Sequence, residues 1–308
     1  MASSEEENMT QISAFILLGF GNLHGVQYLL FGVFLVIYVL TLLGNIVILT
    51  VVLADLSLHS PMYFFLGHFF FLEIGYTTTI EPMMLRTLLS DHVPISFPDG
   101  ACQFYFFAAL VATECFLLAV MSYDHFIAIC NPLHYSSLTD HWGCLQLAAA
   151  SWVAAFLAPI LLMVLTFQLT FCAANEIDHF FCDLKPIMKL ACTDTQIAEI
   201  TSFICTSLFA LDPFLLTLAS YTHIISAIMR IPSVTRKQRA LSTCSSHLTV
   251  VSLYYGSLGI VYGFLSGPQN ENLLKLLSLL YTVLTLALNP IIYTLRNKDV
   301  KVALRKLV

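Results

Sequence analysis

The sequence predicts an all-α membrane protein: a seven-transmembrane helix bundle followed by a short amphipathic C-terminal helix. Three observations carry this. Of the 308 residues, 58% are hydrophobic and only 10% charged, against roughly a quarter charged in ordinary soluble domains. The charges that remain leave seven apolar runs, each near the length of about 20 residues that crosses a hydrocarbon core about 30 Å thick. Alternating topology then gathers nine of the thirteen Lys and Arg residues on one side, the asymmetry by which short loops fix orientation.

The elements follow in order. Residues 1–25 open on MASSEEENMT, which is acidic and lacks the basic stretch of a cleaved signal peptide, so the first span serves as its own insertion signal. That span covers about 26–54, inside the charge-free stretch from Asn8 to Ala54. The second covers about 60–84, the third 101–123 and the fourth 142–167. The fifth, 200–229, is uncharged but for Asp212, and the sixth covers 240–264. The seventh, 276–295, is bracketed by Lys275 and Arg296, and 296–308 form the final helix. With no large loop and no internal repeat, residues 1–308 read as one domain.

An N-terminus outside puts Arg230, Arg236, Lys237, Arg239, Arg296, Lys298, Lys301, Arg305 and Lys306 in the cytoplasm, where they attract anionic membrane lipids. Asn8-Met9-Thr10 is then a usable glycosylation acceptor. Cys102, Cys172, Cys182 and Cys192 fall in the oxidising compartment, giving two disulfides in any of three pairings. The other five cysteines suit buried thiols.

Asn289-Pro290-Ile291-Ile292-Tyr293 sets a proline inside a span, which removes one backbone hydrogen bond and kinks the helix where Asn289 and Tyr293 can cover freed groups. Such a kink is either a static bend or the weak point of a moving helix. Pro213 reads the same way. Glu73, Glu114 and Asp212 lie inside spans, where an ionisable side chain costs about 3 kcal/mol and marks a function or a polar partner. For Asp212 the expectation is a bond to a neighbouring helix or a place facing the ligand.

Five segments, LHSPMYFFL (58–66), MSYDHFIAIC (121–130), SYTHI (220–224), RALSTCSSHL (239–248) and LNPIIYTLRN (288–297), come in the right order on the right spans. Together they resemble the olfactory receptors of tetrapod type, a branch of the rhodopsin-like G-protein-coupled receptors, over nearly the whole chain. The resemblance implies an odorant receptor in the plasma membrane of olfactory cilia, signalling through a heterotrimeric stimulatory (olfactory) G protein to raise cyclic AMP, with no enzymatic activity and no nucleic-acid partner. It implies that Asp124, His125, Tyr221, Asn289, Pro290 and Tyr293 form the coupling switch. It makes Glu73 and Glu114 a facing pair for a sodium ion, with Asn45 and Asn289 beside it; a pair sharing one proton serves the same positions. It also implies disulfides Cys102–Cys182 and Cys172–Cys192, pinning a lid over the pocket. The small-molecule odorant belongs between spans three, five and six, where helical spacing puts Ala108, Val111 and Ala112 on one face. Cys205, Thr206 and Phe209 match them on span five, as do Tyr255, Leu258, Gly259 and Tyr262 on span six. This apolar lining with a few hydroxyls suits a small volatile molecule.

Three positions depart from the family pattern. Asp124-His125-Phe126 stands where aspartate, arginine and tyrosine are usual, and histidine lacks arginine's permanent charge and five donors, so a signalling-impaired receptor is the alternative reading. Cys102 stands about two residues inward of the family cysteine, a rotation of about 200° on a helix. Glu73 replaces the usual aspartate. A transporter or channel would need paired repeats, and a retinal receptor a lysine in span seven; the sequence has neither.

Overall fold

Apolar runs become helices because a helix satisfies every backbone group within itself. The computed structural model describes residues 14–21, 25–135, 139–171, 175–260 and 271–307. Its long helices are α1 (Gln27–Ala54), α2 (Pro61–Leu89), α3 (Phe97–Cys130), α4 (His141–Phe167), α6 (Gln196–Met229), α7 (Val234–Gly259) and α8, which runs through Glu271–Leu279, Leu280–Leu284 and Thr285–Arg296. Among the described residues there are also two shorter α-helices, α5 (Leu184–Met188) and α9 (Lys298–Leu307). By length and composition, α1, α3, α4, α6 and Lys275–Leu295 of α8 are, among the described residues, five helices long and apolar enough to cross a membrane. Helix α2 carries Glu73, Glu81 and Arg86, and α7 opens on VTRKQR, which dilutes their apolar character. Helix α3 extends beyond its sequence-read limits by four residues at one end and seven at the other (Phe97–Cys130 against 101–123).

The outer surface is apolar: Leu29 is 67% exposed, Leu40 63% and Leu53 67%, as a face turned to lipid requires. Inside, Leu66, Phe69, Phe70, Leu118 and Met121 form a core joining α2 and α3, continued by Tyr254 of α7 and Tyr293 of α8. A Cβ on Gly44 would lie 3.1 Å from Pro290 Cβ, so glycine here lets α1 pack closely on α8 beside its proline.

Short strands cap one end of the bundle: β1 (Ala14–Leu17), β2 (Val93–Ser96) and β3 (Glu176–Ile177) in the order β2-β1-β3. β1 runs antiparallel to β2, with Ala14 opposite Ser96, and parallel to β3, with Ile16 opposite Glu176. β1 precedes α1, β2 lies between α2 and α3, and β3 follows α4. Two crossings separate β1 from β2 and four separate β1 from β3, both even numbers, so the sheet closes only if the helices alternate in direction. Phe15 and Leu17 point inward and are wholly buried. The chain then turns at Gly19, with φ of 59° and a virtual Cβ only 2.7 Å from Thr87 Cβ; no larger residue fits.

Caps set the helix starts. Ser96 accepts from the Asp99 amide at 3.2 Å to begin α3, and Asp140 from the Gly143 amide at 2.8 Å to begin α4. In α6 and α8 a wide π-helical turn, Ser207–Leu211 and Leu280–Leu284, interrupts the helix. In α6 this turn immediately precedes Asp212-Pro213, where the missing proline N–H breaks the regular ladder. Asp212 sits at an exposed position of α6 and not inside the bundle.

Candidate functional site

Three clusters along the bundle contain the residues singled out by sequence. The central one is polar. Glu73 Oε1 accepts from Asn289 Nδ2 at 3.0 Å. Glu73 Oε2, Glu114 Oε2 and both polar side-chain atoms of Asn45 have no partner, and the two carboxyls lie near enough to repel each other. No group of three His, Cys, Asp or Glu side chains suited to a metal ion occurs among the described residues. The unpartnered oxygens of Glu73, Glu114 and Asn45 are nevertheless the hard donors a sodium ion takes. Asn289 therefore spends its amide on Glu73, and the Tyr293 hydroxyl has no partner. The polar cover expected around Pro290 is thus not what these two side chains supply.

Toward the lid, α3, α6 and α7 meet around Cys115. Tyr254 donates to the Val111 carbonyl at 3.0 Å and lies 3.5 Å from Cys115 Sγ, while Tyr255 donates to the Cys115 carbonyl at 3.4 Å. The Phe209 ring meets Phe116 edge-on at 5.8 Å, and Phe214 packs on Tyr255 at 4.8 Å. Of the residues the spacing singles out, Ala112 and Leu258 are buried, Val111 accepts from Tyr254, Tyr255 bonds α3 at Cys115, and Phe209 meets α3 at Phe116. Ala108 and Cys205 are half-buried, Thr206 and Gly259 are exposed, and Tyr262 lies outside the described residues. A cavity of about 260 Å³ between α6 and α7 shares Tyr255 and continues toward the other end past Thr217 and Val251 to Tyr221.

At the end opposite the lid, three rings bridge three helices. His125 of α3 stacks on His247 of α7 with centroids 5.3 Å apart and planes within 11°. Tyr221 of α6 stacks on the same imidazole at 5.8 Å and places its hydroxyl 2.6 Å from His247 Nδ1. His125 Nδ1 lies 2.6 Å from the Met121 carbonyl; a carbonyl only accepts, so Nδ1 carries the proton. Asp124 accepts from the Tyr135 hydroxyl at 3.1 Å. Tyr293 packs edge-on to Phe70 at 5.4 Å. Helix α9 completes this end: Val300 and Ala303 are buried, the Tyr63 hydroxyl lies 3.0 Å from Asp299 Oδ2, and Lys306 pairs with Asp55 at 2.8 Å.

The lid is the segment between α4 and α6. His179 is buried, with Nε2 3.3 Å from Ser278 Oγ, and Lys275 pairs with Asp178. Burial and the nearby Lys275 charge push His179 down to about 3, whereas burial raises Asp183 to about 6 and the Cys182 thiol to about 12. Phe180 stacks on Phe20 at 5.1 Å and Phe181 packs against Phe107 at 4.9 Å. Cys192 is disulfide-bonded; its expected partner Cys172 and the acceptor Asn8 lie outside the described residues. The Cys102–Cys182 bond is absent: both thiols are free, Cys102 exposed and Cys182 buried. The rotation of about 200° between neighbouring-turn positions two residues apart turns Cys102 outward, and no rearrangement of Pro98-Asp99-Gly100 compensates.

The structure adds two residues to those picked out by sequence. His247 stood inside a quoted motif without a role, since only folding brings it to His125. Glu81, fully buried within α2 with both carboxylate oxygens unpartnered, carried the same signal as Glu73, an acid inside a span.

Comparison with known proteins agrees with this architecture. The family model described as "Olfactory receptor" matches residues 34–308. Human Olfactory receptor 11L1 is 47% identical over 304 residues, covering 99% of this chain and 94% of its own. Human Olfactory receptor 10A5 is 49% identical over 300 residues (97% and 95%), and Olfactory receptor 10A2, also human, 50% over 283 residues (92% and 93%).

Proposed function

We propose, on the premise that the chain belongs to the olfactory receptor family and is therefore a multi-pass membrane receptor and not an enzyme, that it binds small, mostly apolar volatile molecules and signals through a stimulatory G protein to raise cyclic AMP. The lid end faces outward and the His125 end faces the cytoplasm, an orientation supported by the nine basic residues on that side. The receptor works in the plasma membrane, in the cilia of olfactory neurons.

The odorant enters beneath the lid and packs against Val111, Ala112, Phe209, Tyr255 and Leu258. The observation that carries this is the Tyr254–Val111 and Tyr255–Cys115 pair of bonds at 3.0 and 3.4 Å. These are hydroxyls a ligand can compete for, and each ties α7 to α3. Releasing them loosens α7 at its outer end, and the stack of Tyr221 and His125 on His247 gives way at its inner end, opening a cleft for the G protein. Glu73, Glu114 and Asn45 hold a sodium ion or a shared proton in the closed state.

A second reading, a signalling-impaired receptor, is favoured by His125 itself. The residue is only 5% exposed and presents no cationic fork to the cytoplasm. Cyclic AMP measured across a broad odorant panel, in cells displaying surface-stained wild type and His125→Arg, separates the two. Responses from both forms to the same odorants support the receptor reading. A response from the arginine form alone supports the impaired one, and an unchanged cyclic AMP level in both, at good surface expression, sinks the signalling proposal.

A further inference from the structure

Cys182 lies in the centre of the lid, fully buried and free. Opposite it, on the first turn of α3, is Gly100, which is buried as well. A Cβ built on Gly100 would stand 3.3 Å from Cys182 Sγ. Across a disulfide, with an S–S bond of about 2.05 Å, each Cβ stands about 3 Å from the partner's sulfur. The position that could receive a bond from Cys182 is therefore Gly100, which has no side chain, and Cys102 points elsewhere. The notch that glycine leaves is closed by the Phe15 ring, 3.5 Å from the same virtual Cβ.

We infer that Cys182 remains a thiol and that this receptor fastens its lid to α3 without a covalent bond. Other contacts take over that fastening. The Cys182 amide donates to Gln103 Oε1 at 3.1 Å, and Gln103 Nε2 donates to the Thr79 carbonyl at 3.1 Å, so one glutamine clips the lid to both α3 and α2. β1 pairs with β2 on one side and β3 on the other, and Gly19 donates to the His179 carbonyl at 3.2 Å. Asn175 Nδ2 donates to the Ala14 carbonyl at 3.1 Å. All of these can open and re-form, so lid opening over α3 is a reversible equilibrium that reductants do not change. The bond at Cys192 lies beside Thr170, whose carbonyl accepts from the Cys192 amide at 2.9 Å, and it does not involve Cys182. The inference rests on the Gly100–Cys182 geometry alone, independently of the signalling reading.

The test uses the full-length receptor purified in detergent, denatured without reductant, alkylated with N-ethylmaleimide and mapped by peptide mass spectrometry. In wild type both Cys102 and Cys182 take up the label. In Gly100→Cys the two thiols at 100 and 182 give up two protons and one electron pair to a disulfide of the secretory-pathway oxidoreductases, which is itself reduced to two thiols. The new bond appears as a linked peptide, shields both positions until reductant is added, and raises the melting temperature by several degrees, a gain that reductant abolishes. Gly100→Ala, which adds the Cβ without the sulfur, shows no reductant-sensitive gain. A linked Cys102–Cys182 peptide in wild type overturns the inference, as does a folded Gly100→Cys receptor in which both thiols stay open to alkylation. If Gly100→Cys does not reach the folded state, the wild-type labelling decides alone.

Discussion

The two ends of this bundle are held by different kinds of contact. The lid end has backbone pairing that the far end lacks among the described residues: a three-stranded sheet, reinforced by the Gln103 clip and an aromatic cluster in which Phe15 meets Phe97 at 5.6 Å and Phe171 at 5.4 Å. At the far end the helices are joined by side chains, chiefly the His125–His247–Tyr221 stack and the Asp124–Tyr135 bond. Backbone pairing fixes register and resists sliding, whereas stacked rings can part and meet again without unwinding a helix. The far end is thus the one equipped to move.

The comparison breaks if the lid end tolerates loss of its central ring. Phe15→Ala empties a fully buried site, and such truncations cost about 3–5 kcal/mol. Thermal unfolding in detergent should show a large fall in melting temperature and cell staining a loss of surface receptor; a near-normal melt would mean that the strap is dispensable. The far end is probed by Tyr221→Phe, which removes the hydroxyl 2.6 Å from His247 Nδ1 and strands a buried polar atom at about 1–3 kcal/mol. Basal cyclic AMP should rise while melting changes less than for Phe15→Ala. A lower basal level would assign the stack to the active state.

The smallest effect concerns pH at the lid. Asp183, raised to about 6 by burial, favours folding while protonated, and that contribution is lost as pH rises through about 6. His179, held down to about 3, favours folding while neutral, and its contribution is lost as pH falls from its ordinary value toward 3. The two slopes oppose each other, so wild-type stability should be nearly flat between about pH 6 and pH 4. His179→Gln removes one slope, and its stability should rise by about 1 kcal/mol as pH falls from about 7 to about 5. Parallel curves for the two proteins would show that His179 contributes no slope in the lid.

Much of this fold was legible because lipid demands long uninterrupted apolar runs. α1, α4 and α6 could be bounded to within a few residues, and their outward leucines confirm why. The strands were not legible, since four residues at 14–17 have no period worth reading and pair with segments far along the chain. Cys102 misled because cysteine chemistry invites pairing while the site facing Cys182 is a glycine. His247 was visible as a letter in a motif, but its contact with His125 exists only once α3 and α7 are packed. Glu81 was legible and passed over, because the span containing it was judged by its apolar majority.

The sheet also sets a chronology. β1 leaves the ribosome before any span, yet its partners are β2 at 93–96 and β3 at 176–177, so the strap must wait until four helices have been threaded. Contacts this distant in sequence close late, because chain entropy is lost before the pairing returns anything. Lid closure is therefore a late checkpoint on membrane insertion. A helix inserted the wrong way round would strand β2 or β3 across the bilayer from β1, and the unpaired strap would mark the chain as misassembled before it left the endoplasmic reticulum.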